Sequence, residues 1–146
     1  MNWMSEISFT IPGKPFAKQR ARATARGGFA RMYTPAETVS FERQVGVIAR
    51  QFFAEPITGP VRLTITATFA PAPSWSKKKT AAHMGQHHTS KPDLDNIAKA
   101  TKDALNRIAW GDDSQVAECL LVKRWGAVAG TVVTVDALTI EKGCAG

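Results

Sequence analysis

The sequence predicts a single α+β domain over residues 1–146, with a mixed β-sheet and two main helices. Apolar residues alternate with polar ones in four short segments and recur at helical spacing in two longer ones. No repeat or linker divides the chain. With 146 residues, 44% of them hydrophobic, the chain is long enough for one core that buries about 68–70% of the unfolded surface. The expected order is strand, helix, strand, helix, strand, strand.

The four strands are indicated by a period of two. Residues 7–11 alternate apolar and polar side chains and end at a Pro-Gly turn. The clearest alternation runs from Val61 to Phe69, where the intervening residues are Arg or Thr. Two further strands are expected near Val116–Trp125 and over 131–140, separated by a glycine-bounded turn over 126–130.

The two helices are predicted over 35–53 and 93–110. Thr34 and Pro35 form a typical helix start, and Gly111 follows the second helix as a C-terminal cap. Residues 71–90 contain prolines, three lysines and three histidines, and are predicted to form a long exposed loop. The histidines lack the paired spacing of a zinc site, so we expect them to be ordinary loop residues.

The second helix has an apolar face and a polar face. The apolar face contains Leu94, Ile97, Thr101, Ala104, Leu105 and Ile108, and the polar face contains Asp95, Lys99, Lys102 and Asn106. Carboxylates flank the helix, with Asp93 before it and Asp112-Asp113 after it, about 25 Å apart. The helix alone cannot bring them into one metal site. Asp112 or Asp113 must fold back over the helix, or meet Asp93 and Asp95 through the sheet or a partner subunit.

The charge is unevenly distributed along the chain. Of the net charge of +7, residues 1–54 carry +5, residues 55–92 carry +4 and residues 93–146 carry −2. This pattern is typical of a protein that binds a polyanion and also holds divalent cations. The residues expected to contact phosphates are Lys14, Lys18, Arg20, Arg22, Arg26 and Arg31. The alternative for this basic stretch is a solvated surface loop.

Each acid also has a structural explanation. Asp93 suits a helix N-cap, Asp95 favours the helix dipole, and Asp112-Asp113 suits a turn. Together they match what Mg²⁺ prefers, which is a few carboxylates with water and phosphate oxygens completing its coordination. Trp75, Trp110 and Trp125 could stack on unpaired bases, but packing is the expected role of all three.

The same region carries a family resemblance. The runs D-x-D-N-x-x-K from Asp93 to Lys99, D-A-L from Asp103 and D-D-x-Q-V from Asp112 to Val116 follow one another in order. In these motifs the sequence resembles the RusA-type Holliday junction resolvases, in particular phage-type members. The signature covers about 26 residues. The flanking Gly13-Lys14-Pro15 and the paired C-terminal strands are also similar.

The resemblance implies a RusA-like fold and a dimeric, Mg²⁺-dependent endodeoxyribonuclease, with Mn²⁺ as a possible substitute. Such an enzyme resolves four-way DNA junctions by paired symmetrical nicks in recombination and repair. Asp93, Asp95 and Asp113 match the family's catalytic, metal-binding acids, and Lys99 matches its essential lysine. Lys91, at the start of the signature, is assigned to DNA contact. Whether Lys99 acts in its own or the partner's site stays open, as do the roles of Asp103 and Asp112.

Two other functions are compatible with the sequence. One is a non-catalytic protein that binds branched DNA, and the other is a nuclease for other branched or single-stranded DNA. The chain has two cysteines, no signal-peptide pattern and no membrane-spanning stretch, so we expect a cytoplasmic location and no membrane partner.

Overall fold

In a computed structural model, residues 6–18 and 36–138 are described. The elements are β1 (Glu6–Pro12), α1 (Ala36–Ala49), β2 (Val61–Phe69), α2 (Lys77–His83), α3 (Leu94–Leu105), a 3₁₀ turn (Asp113–Gln115), β3 (Val116–Trp125) and β4 (Gly130–Ala137). The predicted α+β class with a mixed sheet is confirmed. The two main helices are α1 and α3, and α2 is a short addition between β2 and α3.

The four strands form one sheet in the order β1-β4-β2-β3. The β1–β4 and β2–β4 pairs are antiparallel, whereas β2 and β3 are parallel. A parallel pair needs a long crossover connection, which here contains α2 and α3. In the centre of the sheet, Ile65 of β2 lies between Val133 of β4 and Leu121 of β3.

The core lies between one face of the sheet and the helices α1 and α3. Every second residue of β2 is buried, starting with Val61, and the intervening Arg and Thr residues lie on the other face. The fully buried side chains include Leu63, Ile65, Val133, Val135, Val45, Ile97, Leu105 and Trp110. Because α1 and α3 share this one core, the polar side of α3 is left facing outward.

Both predicted helices are shorter in the structure. α3 ends at Leu105 rather than residue 110, because Asn106 has extended backbone angles and Arg107 has a φ of 70°. The Arg107 backbone N–H then donates to the Trp110 carbonyl at 2.7 Å and closes a turn. Leu94, predicted on the apolar face, is 46% exposed because it is the first residue of the helix, at its solvent end.

At the other ends, the differences are also small. α1 ends at Ala49, and its proposed start at Thr34 and Pro35 lies outside the described residues. The last strand, predicted over 131–140, is observed as Gly130–Ala137, and residues 139–140 are also outside the described part.

The prediction of a long exposed loop over 71–90 is correct for most of the segment, which is largely exposed, but wrong for residues 77–83, which are helical, and for His88, which is buried. α2 forms within it, with the Ser76 side chain accepting a hydrogen bond from the Lys79 backbone N–H. The ring of His88 is buried between Phe69 and Trp125, at centroid distances of 3.8 and 4.5 Å. Aromatic packing therefore holds the segment against the end of the sheet. The predicted packing role of the tryptophans is confirmed, since Trp110 is fully buried and the Trp75 and Trp125 ring centroids lie 4.8 Å apart.

Candidate active site at the two ends of helix α3

Asp93 begins the candidate site at the N-terminus of α3. It occupies the N-cap position, but its side chain makes no capping hydrogen bond. The carboxylate is 57% exposed, and the Lys91 ammonium lies 3.5 Å from its Oδ1 atom. The predicted capping role of the Asp93 side chain is therefore absent, and the carboxylate faces solvent where a cation or a ligand can reach it.

Asp95 and Lys99 follow on the exposed side of the same helix. Asp95 lies in the first turn of α3, and Lys99 lies one turn later. The Lys99 ammonium is 3.5 Å from Oδ1 of Asp103, which is a further turn along. Asp95 and Lys99 thus share the exposed side of α3, as the sequence predicted, and Asp93 lies at the N-terminus of the same helix.

Asp103 is held by two lysines. Besides the contact with Lys99, its Oδ2 atom accepts a 2.7 Å hydrogen bond from Lys18. This hydrogen bond to Asp103 raises the pKa of Lys18 above its ordinary value, more than burial lowers it. The Asp103 side chain is only 19% exposed. Its contacts suit a residue that orients lysines rather than one that binds a metal.

The basic residues that precede α1 reach the same end of the helix. The Lys18 backbone N–H donates to the Asn96 carbonyl at 3.2 Å, which brings the chain against α3. A shallow groove of about 440 Å³ lies alongside, lined by Lys14, Pro15, Phe16, Ala17, Lys91 and Pro92. Three predicted DNA-contacting residues, Lys14, Lys18 and Lys91, therefore lie around the N-terminal half of α3. The other four, Arg20, Arg22, Arg26 and Arg31, lie outside the described residues.

At the other end of α3, a compact turn holds Asp112 and Asp113. The indole N–H of the buried Trp110 donates to Asp113 Oδ1 at 2.9 Å. Asp112 caps the 3₁₀ turn by accepting from the Ser114 backbone N–H. Hydrogen bonding with the Ser114 side chain, and then with its backbone N–H, lowers the pKa of Asp112. Gln115 completes the cap by accepting from the backbone N–H groups of Gly111 and Asp112. Asp112 is thus structural, whereas Asp113 is half-buried and oriented by Trp110.

Asp93 and Asp113 lie at opposite ends of the domain. Near the end of β3, Lys123 Nζ donates to the carbonyls of Ser90 and Pro92, each at 2.6 Å, so the residue before Asp93 lies beside Lys123. Asp113 precedes Val116, the first residue of β3. Seven residues of strand separate Val116 from Lys123, which corresponds to about 23 Å.

Within one chain, the predicted metal-binding acids therefore do not share one site. Over residues 6–18 and 36–138, no group of three or more Asp, Glu, His or Cys side chains is arranged to hold a metal ion. The chemistry of the donors nevertheless suits Mg²⁺, because it binds carboxylate oxygens and often takes only one or two of them from a protein. Asp93 fits this role, with an exposed carboxylate that does not cap the helix.

Comparison with known proteins identifies the family. The family model described as Endodeoxyribonuclease RusA matches residues 12–136. The chain belongs to the RusA endodeoxyribonuclease family. It is also similar to an uncharacterized protein of Bacillus subtilis (strain 168), YqaN, with 39% identity over 126 residues. That match covers 82% of this chain and 88% of the relative.

Membership of the RusA family agrees with the resemblance found in the signature and with the mixed α+β fold. It makes the chain a member of a nuclease family that acts on DNA. In the part of the chain that the structure describes, no helix has the length and apolar character needed to cross a membrane.

Lys123 and the supporting role of Gln115 were not predicted from the sequence. In the parallel register, Lys123 is the partner of the buried Ala67, and its neighbours at alternate positions, Leu121 and Trp125, pack against the core. A charged residue among inward-facing positions of a strand is unusual. This break in the alternation is the signal that could have identified Lys123.

Proposed function

We propose that this protein is a Mg²⁺-dependent, structure-specific endodeoxyribonuclease that resolves four-way DNA junctions by paired symmetrical nicks. The observation that carries the proposal is the exposed N-terminal end of α3 in a RusA-family chain. There, Asp93, whose carboxylate makes no capping hydrogen bond, and Asp95 lie beside a groove lined by Lys14 and Lys91. Phosphates bind lysines and divalent cations bind carboxylates, so this surface suits a metal-assisted reaction at a phosphodiester.

The residues proposed to hold the metal are Asp93, Asp95 and Asp113. When bound, Mg²⁺ or its substitute Mn²⁺ supplies Lewis acidity, which activates a water molecule and stabilises charge on the leaving oxygen. Lys99 lies one turn after Asp95 and supplies a positive charge for the attacked phosphate. The Asp103 carboxylate lies 3.5 Å from this ammonium and favours its position on the outer side of the helix.

A homodimer is the second part of the proposal. The part of β3 between Val116, which lies next to the Asp113 turn, and Lys123, which contacts the residue before Asp93, is about 23 Å long. One chain therefore cannot place both acids on one ion. A two-fold dimer would bring the Asp113 end of one subunit to the Asp93 end of the other. It would then contain two equivalent sites, as two symmetrical nicks require.

The DNA is proposed to bind along the basic surface around Lys14, Lys18 and Lys91, together with the four arginines at 20, 22, 26 and 31. Affinity for DNA should fall steeply with salt, because each neutralised phosphate releases counterions. Action on cellular or phage DNA places the enzyme in the cytoplasm, where the exposed thiol of Cys119 would stay reduced.

The proposal is tested with a labelled four-way junction, a matched duplex and a matched single strand, each in Mg²⁺ or EDTA. We expect symmetrical, Mg²⁺-dependent nicks in the junction alone. Asp95→Asn should lose cleavage and keep junction binding, because the amide keeps the shape of the side chain but loses its charge. Cleavage of all three DNAs would indicate a broader nuclease. Tight junction binding without cleavage by the wild type would favour the non-catalytic alternative.

A further inference from the structure

A lysine on the inward side of β3 is tied to the turn that leads into α3. The Lys123 ammonium donates to the carbonyls of Ser90 and Pro92, both at 2.6 Å. We propose that Lys123 is a positioning residue that fixes this turn and thereby places the Asp93 carboxylate in the active site. The inference rests on the proposed function, in which Asp93 binds the metal.

The two hydrogen bonds are well placed to fix the backbone before Asp93. The two accepting carbonyls belong to the residues on either side of Lys91, and one of them, that of Pro92, directly precedes Asp93. Hydrogen bonds from an ammonium are shorter and about twice as strong as those between neutral groups. A carbonyl on either side of Lys91 therefore has a fixed partner in the sheet.

The backbone of the turn has few other restraints. Residues 85–88 are tied to the end of β3 by hydrogen bonds from Gly85 N–H to the Trp125 carbonyl and from His88 N–H to the Lys123 carbonyl. Within the described residues, no backbone-to-backbone hydrogen bond joins residues 89–92 to another part of the chain. Beyond residue 88, where backbone hydrogen bonds to β3 end, the Lys123 side chain thus supplies the hydrogen bonds that join the segment to β3.

Asp93 depends on this turn for its orientation. Its side chain makes no capping hydrogen bond, and its contact with Lys91 is an exposed one at 3.5 Å. Exposed ion pairs of this kind hold a side chain only weakly. The direction of the Asp93 carboxylate is therefore set mainly by the backbone that Lys123 holds.

The test compares Lys123→Met, which keeps the length of the side chain but removes its donors, with Arg62→Met. Arg62 is a matched control, because it is exposed and pairs with Glu118. It lies near the start of β2, whereas Lys123 pairs with Ala67 near the end of that strand. Two properties are measured without reference to cleavage: hydrogen exchange of the 88–96 segment, and Mn²⁺ affinity from the EPR signal of free Mn²⁺. Single-turnover junction cleavage is the third readout.

For Lys123→Met, we expect faster exchange in 88–96 with unchanged exchange in β2 and β4. Metal affinity and cleavage rate should each fall about 10–100-fold, as is typical when a group supporting a metal ligand is removed. Arg62→Met should match the wild type in all three. Lys123→Cys, alkylated with 2-bromoethylamine to restore an ammonium at lysine length, should recover the metal affinity. Wild type alkylated in parallel controls for Cys119 and Cys144.

The proposal is overturned if Lys123→Met exchanges like the wild type in 88–96. It is equally overturned if exchange rises throughout the sheet and alkylation of the cysteine variant restores nothing, since Lys123 would then serve stability alone. A wild type that binds Mn²⁺ but cleaves no DNA contradicts the proposed nuclease function instead. In that case, the exchange and Mn²⁺ comparison still decides the role of Lys123.

Discussion

Replacing Gln115 with Ala should destabilise the protein by about 2–3 kcal/mol, because this one amide closes four hydrogen bonds. Its oxygen accepts from the backbone N–H groups of Gly111 and Asp112, at 2.8 and 2.9 Å. Its nitrogen donates to the carbonyls of Ile57 and Gly59, both at 2.8 Å. Gln115 thus joins the turn that carries Asp113 to the segment before β2.

The magnitude follows from the exposure of these bonds. Three of the four are exposed, so water replaces much of what is lost, and each is worth about 0.5 kcal/mol. The bond to the Ile57 carbonyl is partly buried and is worth about 0.5–1.5 kcal/mol. For a domain of this size, the total corresponds to a fall in Tm of about 4–12 °C.

The assay is equilibrium unfolding in urea at pH 7, with two comparison variants. Gln115→Glu keeps the acceptor but places a carboxylate against two carbonyls, so it should be destabilised at least as much as the alanine variant. Gln86→Ala makes the same substitution at an exposed glutamine outside this turn and should stay within about 0.5 kcal/mol of the wild type. If Gln115→Ala also stays within that range, the reasoning about the turn is refuted.

Three further predictions concern stability. Burial, and then the charge of Lys123, lower the pKa of His88 from 6.5. As the pH falls, His88 is therefore protonated in the unfolded chain at a higher pH than in the folded protein. Stability should therefore fall as the pH drops below 6.5 and level off below the folded pKa, and urea titrations should show a weaker fall in His88→Phe. Gly126→Ala should cost about 1–3 kcal/mol, because the added Cβ would lie 2.5 Å from Thr68 Cγ2. Thr68→Ser removes this methyl group and should relieve most of that cost in the double variant. If Gly126→Ala lowers stability equally with Thr or Ser at position 68, the clash is not the cause. A double-mutant cycle of Lys18→Met and Asp103→Asn should give a coupling of about 1 kcal/mol, reduced by partial exposure, and additive losses would mean that the pair contributes nothing.

The sequence predicted the strands well because their signal is local. In β2 every second side chain is buried, and the expected bounds Val61–Phe69 are the observed ones. The parallel pairing of β2 with β3 is a tertiary choice that alternation does not encode. The helix over 93–110 was predicted too long, because the apolar spacing continues to Ile108 although the left-handed backbone of Arg107 has already ended the helix.

The candidate site was predicted only in part, for the same reason. Asp95 and Lys99 are one helical turn apart, so helical spacing sufficed to place them on one side of α3, and Asp93 lies nearby because it directly precedes the helix. The separation of Asp113 followed from the length of the helix. The contact of Lys123 with the turn before Asp93 joins residues 31 positions apart, and no local pattern reveals such a partner.

The central claim is that acids from opposite ends of α3 act in one metal site built from two subunits. It is tested most directly by mixed dimers of Asp95→Asn and Asp113→Asn, isolated with two different affinity tags and incubated with a four-way junction and Mg²⁺. Such a dimer has both substitutions in one site and none in the other, so we predict restored cleavage as single rather than paired nicks. Mixed dimers of Asp93→Asn and Asp95→Asn, which alter the same end, should remain inactive. If the first mixture is as inactive as each variant alone, the shared site is contradicted.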